Sequence, residues 1–324
     1  MASAKEQTSS ISADGSWHNV IGSGSRFPPE AGLFCPFAHR ANLIRHLKGL
    51  TDLIDISVVN GYPKGDDNGW PGWRFPKTND EYPCATVDKL FGSEYLHEIY
   101  LKAEPQYKGR FTVPVLWDKK TATIVNNESA ELMRFLQAGF DDILPEKYRQ
   151  VNLYPDHLRE RIDEISKWMQ AELNTGVYKA GFAKSQEDYE KNVVPVFAAL
   201  NKVEGILAES AGPYVLGSEM TEIDIRLYAT AVRFDVVYVQ HFKCNLGMVR
   251  SHYPLLNRWM KNLYWNVPGF KETTNFKHIK ENYTKSHPGI NPKEITPIGP
   301  VPDIEEITKN EPKTLGAGGV ELEP

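Results

Sequence analysis

One cysteine stands directly before a proline in Leu33–Leu47, LFCPFAHRANLIRHL. A proline at the first position of a helix gives up nothing, because that N–H has no partner inside the helix. Cys35 then falls at the N-cap, where unpaired backbone N–H groups and the positive end of the helix dipole face its sulfur. Both favour the thiolate, which is the nucleophilic form. His39 and Arg40 add positive charge if their side chains turn that way. The fourth position of the Cys-Pro-Phe-Ala run is Ala38, so no second thiol is placed to close an internal disulfide. A mixed disulfide on Cys35 must be resolved by an outside thiol. That points to a monothiol cycle using glutathione. The competing reading is a small core hydrophobe, the common fate of a cysteine outside a disulfide. Cys84 and Cys244 are read that way, since neither leads a helix with proline in its first turn. Cys244 follows a helix, where the dipole opposes a thiolate.

Two further pairs could complete a tripeptide site. In TVPVL, Pro114 removes a ladder hydrogen bond. A cis bond from Val113 to Pro114 would turn the Val113 N–H and C=O toward an extended peptide. An ordinary edge-strand proline is the other reading. In NNESAELMRFL, Ser129 and the first-turn N–H groups could hold a carboxylate, while Glu128 pairs with an ammonium. Those are the two charges of a γ-glutamyl group. A plain helix start would look the same.

These residues need elements to carry them. A helix is expected over Ala38–Lys48, closed by Gly49, then a strand over Asp52–Val59. Residues 60–110 are crowded with Gly, Pro, Asp and Trp, with a short helix expected near Val87–Tyr100. A long irregular segment with this aromatic content reads as functional, not disordered. A strand over Arg110–Asp118, a short strand in ATIVNN and a helix ending near Gly139 follow. After that the period is helical. Leu158, Ile162, Ile165, Met169 and Leu173 share one stripe. Tyr189, Val193, Phe197, Leu200 and Leu207 share another, with Pro195 expected to kink that helix. TEIDIRLYATAVRFDVVYVQ and YPLLNRWMKNLYW are two more helices. Thr221–Asp224 forms a capping box, with Met220 and Ile225 placed as a staple. From about Lys285 an extended surface tail is expected.

The organisation is an α/β domain followed by an all-α one. Its expected parts are an N-terminal arm (1–26), a thioredoxin-like domain with the 60–110 insertion (27–145), a helical domain (146–284) and the tail (285–324). The chain has 324 residues, a net charge of −5 and no dense Lys/Arg block, so nucleic acid is not an expected partner. Three scattered cysteines suit neither a disulfide scaffold nor a zinc site, and no metal is expected. No apolar run reaches membrane-spanning length, and the N-terminus lacks the apolar centre of a signal peptide. A cytoplasmic protein is expected.

The order Cys-Pro helix, Val-Pro strand, Glu-Ser helix and then helices only resembles the glutathione transferase fold. CPFAHR, TVPVLWD, IVNNESAE, GVYKAGFA, DIRLYATAVRFD, HFKCN, LYWNVPG and SH…INP narrow the resemblance. They look like the glutathionyl-hydroquinone reductases, the Xi class, over nearly all of residues 27–300. The resemblance implies that Cys35 is the nucleophile and that Trp73, Arg110, Val113, Glu128 and Ser129 bind glutathione. It implies that Tyr178 and Tyr283 contact the quinol ring, that the substrates are glutathione and glutathionylated hydroquinones, and that the protein is a homodimer. Without it, the two tyrosines read equally as packing aromatics and Trp73 as a loop anchor. The family commonly has paired aromatics where this chain reads Asn282-Tyr283, which implies a more polar ring pocket. Two other readings stand beside this one. The first is an Omega-like thiol transferase or dehydroascorbate reductase. The second is a non-catalytic transferase-like module, disfavoured because Cys35 and the Glu-Ser pair are both kept.

Overall fold

A computed structural model describes residues 29–62, 72–210, 212–307 and 315–322. The expected N-terminal arm and residues 63–71 of the insertion lie outside them. The chain divides into two compact units, Met1–Val151 and Asn152–Pro324.

The first unit is built on a four-stranded sheet in the order β2-β1-β3-β4. Strand β1 (Pro29–Ala31) runs parallel to β2 (Ser57–Val58) and antiparallel to β3 (Val115–Asp118). Strand β4 (Thr123–Asn126) is antiparallel to β3. Helix α1 (Pro36–Leu47) joins β1 to β2, α2 (Leu96–Ala103) precedes β3, and α3 (Ser129–Ala138) follows β4 and packs on α1. A short helix α4 (Glu146–Arg149) closes the unit. This is the mixed sheet and helix pattern of a thioredoxin-like domain.

Helix α1 starts at Pro36, with Cys35 as its N-cap in extended backbone, and it stops where Gly49 takes a φ of +63°. Only Gly adopts that angle at low cost, so the C-terminus is written in one residue.

Three boundaries differ from the periodicity. The strand expected over Asp52–Val59 is only Ser57–Val58. Leu53 and Ile54 donate their N–H groups back to Leu50 O at 3.1 and 2.8 Å, and Arg45 Nε holds Ile54 O at 2.6 Å. Their apolar side chains therefore finish the turn after α1. The strand expected from Arg110 begins only at Val115, because Pro114 has no N–H to give the ladder. The helix expected near Val87–Tyr100 lies at Leu96–Ala103. Upstream of it, the Asp88 carboxylate accepts from the N–H groups of Leu90, Phe91 and Ser93 and holds a turn. Glu98 accepts from Glu94 N and Tyr95 N and so sets the helix start. The segment read as an insertion contributes Phe75, Leu96, Ile99 and Tyr100 to the core shared with Phe34, Val113 and Trp117.

The second unit is helical. Helix α5 (Arg159–Trp168) runs into a π-turn at Met169–Asn174 and then α6 (Gly176–Gly181). Helix α7 (Gln186–Glu209) is continuous through Pro195. Helix α8 (Glu222–Arg233) passes through a second π-turn, Phe234–Tyr238, into α9 (Val239–His241). Then come α10 (Val249–His252), α11 (Pro254–Asn266) and α12 (Phe276–Ser286). The capping box at Thr221 and Asp224 is formed. Ile162, Ile165, Met169 and Leu173 are buried, as their stripe requires, while Leu158 is half-buried. No helix was expected over Phe276–Ser286, because Lys, His, Glu and Asn dominate its sequence. It forms because Asn275 accepts from His278 N at 3.0 Å, and because Ile279 and Tyr283 reach the core.

The tail expected from Lys285 begins only after Ser286, where α12 ends; beyond it the described residues form neither helix nor strand and are tied to the helices. Arg250 bridges Asp235 and Asp303, each at 3.0 Å, and Trp265 Nε1 donates to Ile304 O. Asn201 on α7 exchanges two hydrogen bonds with Val320.

Candidate active site

The first unit gathers Cys35, Val113 and the Glu128–Ser129 helix start. Cys35 is half-buried, and its Sγ donates to Val113 O at 3.7 Å. No acidic residue occupies the first turn of α1, so no carboxylate there opposes a thiolate, although the Val113 carbonyl faces the sulfur and no N–H of the turn caps onto it. His39 and Arg40 are buried, and the Arg40 guanidinium lies over the Phe37 ring at 4.9 Å. The peptide bond from Val113 to Pro114 is cis, as the sequence suggested. Trp73 is half-buried and stacks on Phe34, the residue before Cys35, at 4.5 Å between centroids.

Glu128 is exposed and is the N-cap of α3. One carboxylate oxygen accepts from Ala130 N at 3.3 Å and from Ser129 Oγ at 3.5 Å. Ser129 is buried. Part of the helix start that could hold a ligand carboxylate is thus already taken by Glu128 itself. Asn126 supports the pair, accepting from Glu128 N and donating to Glu131.

Sequence reasoning missed the residue that joins these segments. The Tyr100 hydroxyl donates to Thr112 O at 2.7 Å and accepts from Thr112 N at 3.2 Å and from Asn127 Nδ2 at 3.1 Å. Thr112 precedes Val113, and Asn127 precedes Glu128. One phenol therefore ties the segment before Pro114 to the start of α3. Arg110 is the outlier: its side chain is exposed, while its carbonyl accepts from Tyr107 Oη.

In the second unit Tyr178 and Tyr283 meet hydroxyl to hydroxyl. Tyr238, which sequence reasoning also missed, places its hydroxyl 3.0 Å from that of Tyr283. Tyr178 is half-buried, whereas Tyr283 and Tyr238 are buried. Burial, and the neighbouring phenols, push the Tyr283 hydroxyl well above the ordinary tyrosine range. Phe242 packs against all three rings and lies parallel to Tyr238. Asn282 is buried, and its amide donates to Ser286 Oγ on its own helix.

His241 Nε2 and His287 Nδ1 lie 2.9 Å apart beside this cluster. Burial pushes both imidazoles down to about 4. A histidine with a depressed folded value stabilises the fold while neutral. That stability is present above the unfolded value near 6.5 and is lost as pH falls toward about 4. Melting temperature is therefore expected to fall between about pH 6.5 and 4 more steeply in the parent protein than in a His241→Gln, His287→Gln double variant. Equal slopes in thermal melts would remove the pair from the account.

The other two cysteines separate. Cys244 is buried, and burial pushes its thiol up to about 12, in keeping with a packing role. Cys84 corrects the expectation of a core residue: it is exposed on a turn at φ +62°. Its neighbours Tyr82 and Pro83 belong to the irregular stretch before α2, where hydrophobic periodicity carries no signal. No helix among the described residues is long and apolar enough to cross a membrane.

Known proteins place this geometry. Residues 34–138 match the N-terminal domain of glutathione S-transferases, and residues 186–262 match their C-terminal domain. The chain is 52% identical over 272 residues to glutathione S-transferase omega-like 2 of Schizosaccharomyces pombe, covering 84% of each protein. It is 45% identical over 286 residues to the glutathionyl-hydroquinone reductase YqjG of Escherichia coli, covering 88% of this chain and 83% of that one. The glutathione-bound structure of YqjG superposes with a TM-score of 0.80, at 44% identity, covering 87% of this chain and 86% of that one. The Xi glutathione transferase of Phanerochaete chrysosporium superposes with a TM-score of 0.82, at 47% identity, over 87% and 88% of the two chains. With a thioredoxin-like unit that presents a Cys-Pro helix start and an all-helical unit behind it in sequence, the chain belongs to the Xi class of glutathione transferases, the family of the glutathionyl-hydroquinone reductases, and is an enzyme of that superfamily.

Proposed function

We propose that the protein reduces glutathionyl-hydroquinones to hydroquinones with glutathione, through a mixed disulfide on Cys35. The observation that carries this reading is the hydroxyl pair of Tyr178 and Tyr283, set in an aromatic cluster of the helical unit. A thiol transferase acting on simple disulfides has no use for such a pair.

The chemistry assigns the roles. A thiolate does not displace an aryl carbon from sulfur, because an aryl carbanion is a very poor leaving group. If one ring hydroxyl of the hydroquinone becomes a ketone, the carbon bearing sulfur becomes tetrahedral. Tyr178, on the accessible side, serves a ring oxygen and promotes that shift as a hydrogen-bond donor, while Tyr283 behind it donates to the Tyr178 oxygen and strengthens that donor. The Cys35 thiolate attacks the glutathionyl sulfur. The carbon–sulfur bond breaks, its electron pair returns to the ring as an enolate, and protonation yields the hydroquinone. A second glutathione thiolate attacks the Cys35 disulfide, releasing oxidised glutathione and the resting thiolate. This is a ping-pong cycle. Val113 supplies backbone polar groups to the tripeptide, Glu128 its ammonium partner, Ser129 a carboxylate partner, and Trp73 and Arg110 further contacts. In this reading glutathione belongs to residues 27–145 and the ring to residues 146–284. The tail from 285 is structural, and the protein acts as a homodimer in the cytoplasm.

A second reading is favoured by the name of the fission-yeast relative: an Omega-like thiol transferase or dehydroascorbate reductase. Tyr283→Phe separates the two. Turnover of a glutathionyl-hydroquinone is expected to fall about a hundredfold, the low end for loss of a proton-donating group, with dehydroascorbate reduction unchanged. Equal loss on both substrates would overturn the ring assignment.

A further inference from the structure

The three phenols of the helical unit pack ring against ring, and their hydroxyl contacts run in sequence from Tyr178 through Tyr283 to Tyr238. Tyr178 is half-buried, the Tyr283 hydroxyl contacts its hydroxyl, and the fully buried Tyr238 hydroxyl contacts that of Tyr283. A phenol has one proton to donate and can accept on the same oxygen. If Tyr178 gives its proton to a ring oxygen, its contact with Tyr283 must be one it accepts. Tyr283 then donates outward, and its contact with Tyr238 must also be one it accepts. We propose that Tyr238 is a positioning residue that fixes this outward order and polarises the Tyr283 and Tyr178 hydroxyls. The inference rests on the reading that Tyr178 serves the ring oxygen.

The local structure supports a placed hydroxyl. Tyr238 ends the π-turn Phe234–Tyr238, a local widening that changes the direction of the following side chains relative to a regular helix. Its ring is held parallel to Phe242, with an interplanar angle of 2°, and edge-on to Tyr283. Phe242 stacks in turn on His287, at 20°. The ring therefore has little freedom to rotate its hydroxyl away. The charged and titratable groups around Tyr283 are Arg233, which favours negative charge on the cluster, and His241 and His287, whose rings stand edge-on to it. Hydrogen bonds passed along such a series strengthen one another. A bond donated to the Tyr178 oxygen also stabilises the charge left there when its proton moves outward.

Tyr238→Phe tests this, since it keeps the ring and its stack on Phe242 and removes only the hydroxyl. For a glutathionyl-hydroquinone, kcat is expected to fall about tenfold with KM unchanged, the size of one lost hydrogen bond. The alkaline limb of kcat is expected to move to higher pH, because Tyr178 becomes a weaker acid. Dehydroascorbate reduction and the alkylation rate of Cys35 are expected to stay as in the parent protein. An unchanged kcat and pH profile, or an equal loss on both substrates, would overturn the proposal. A second measurement does not depend on turnover. Protein carrying 3-fluorotyrosine is titrated by fluorine NMR, with the Tyr178 signal assigned by its loss in Tyr178→Phe. An upward shift of the Tyr178 titration in Tyr238→Phe supports the order, and no shift overturns it. Absence of glutathionyl-hydroquinone turnover in the parent protein would instead overturn the proposed reaction and leave the fluorine result to decide the hydrogen-bond order.

Discussion

Cys35→Ser is expected to lower turnover of a glutathionyl-hydroquinone at least about a thousandfold, with an unchanged melting temperature. At 1.36 kcal/mol per factor of ten, that is about 4 kcal/mol of transition-state stabilisation. The reason lies in the leaving and attacking atoms. A serine hydroxyl is almost wholly protonated at neutral pH, and it forms no stable link to a glutathionyl sulfur that a second glutathione could open. The fold should survive, because oxygen is smaller than sulfur and the site is only half-buried. The assay is release of hydroquinone and oxidised glutathione. A companion measurement is intact mass after treatment with oxidised glutathione, where one adduct should be lost with Cys35. Cys84 is also exposed, so this experiment needs a Cys84→Ser background. Retained turnover in Cys35→Ser would end the nucleophile assignment.

The second large effect is on stability. Asp224 is fully buried, and its carboxylate accepts from Thr221 N at 2.8 Å, Thr221 Oγ1 at 3.2 Å, Val215 N at 2.9 Å and Trp259 Nε1 at 2.9 Å. One side chain thus caps α8, fixes the preceding turn and anchors α11. Asp224→Ala leaves those donors buried without an acceptor and opens a small void. The expected loss is about 3–5 kcal/mol, because several buried donors lose their acceptor at once and each such loss costs about 1–3 kcal/mol. In a unit of this size that lowers the melting temperature by roughly 10 °C. Turnover per folded molecule should be kept, because the box touches no residue assigned to chemistry. A loss under about 1 kcal/mol in urea unfolding, the scale of an ordinary cap, would show that the network is not shared between elements.

The residues of the first unit to which chemistry is assigned drew attention in the sequence because each sits at a local backbone feature, and the structure forms those features. Pro36 and Gly49 mark the two ends of α1, Pro114 marks a break in a strand, and Glu128-Ser129 opens a helix. Such features are set by φ, by a missing N–H or by an unpaired terminus, all within a few residues of chain. The capping box of Thr221 and Asp224 was legible for the same reason, although its reach to Trp259 was not.

Hydroxyl networks leave no comparable trace. Tyr100 links Thr112 to Asn127, and Tyr238 backs Tyr283 across 45 residues. Helix α12 and the exposure of Cys84 were equally silent, since a polar helix shows weak periodicity and a turn shows none. Local sequence determined both ends of α1, the starts of α3 and α8, and which sulfur stands at a helix start. Which phenols touch, and which acceptors the long-range donors find, was decided only by packing. Those contacts join segments far apart in the chain, and their free energy appears only once the intervening residues are folded.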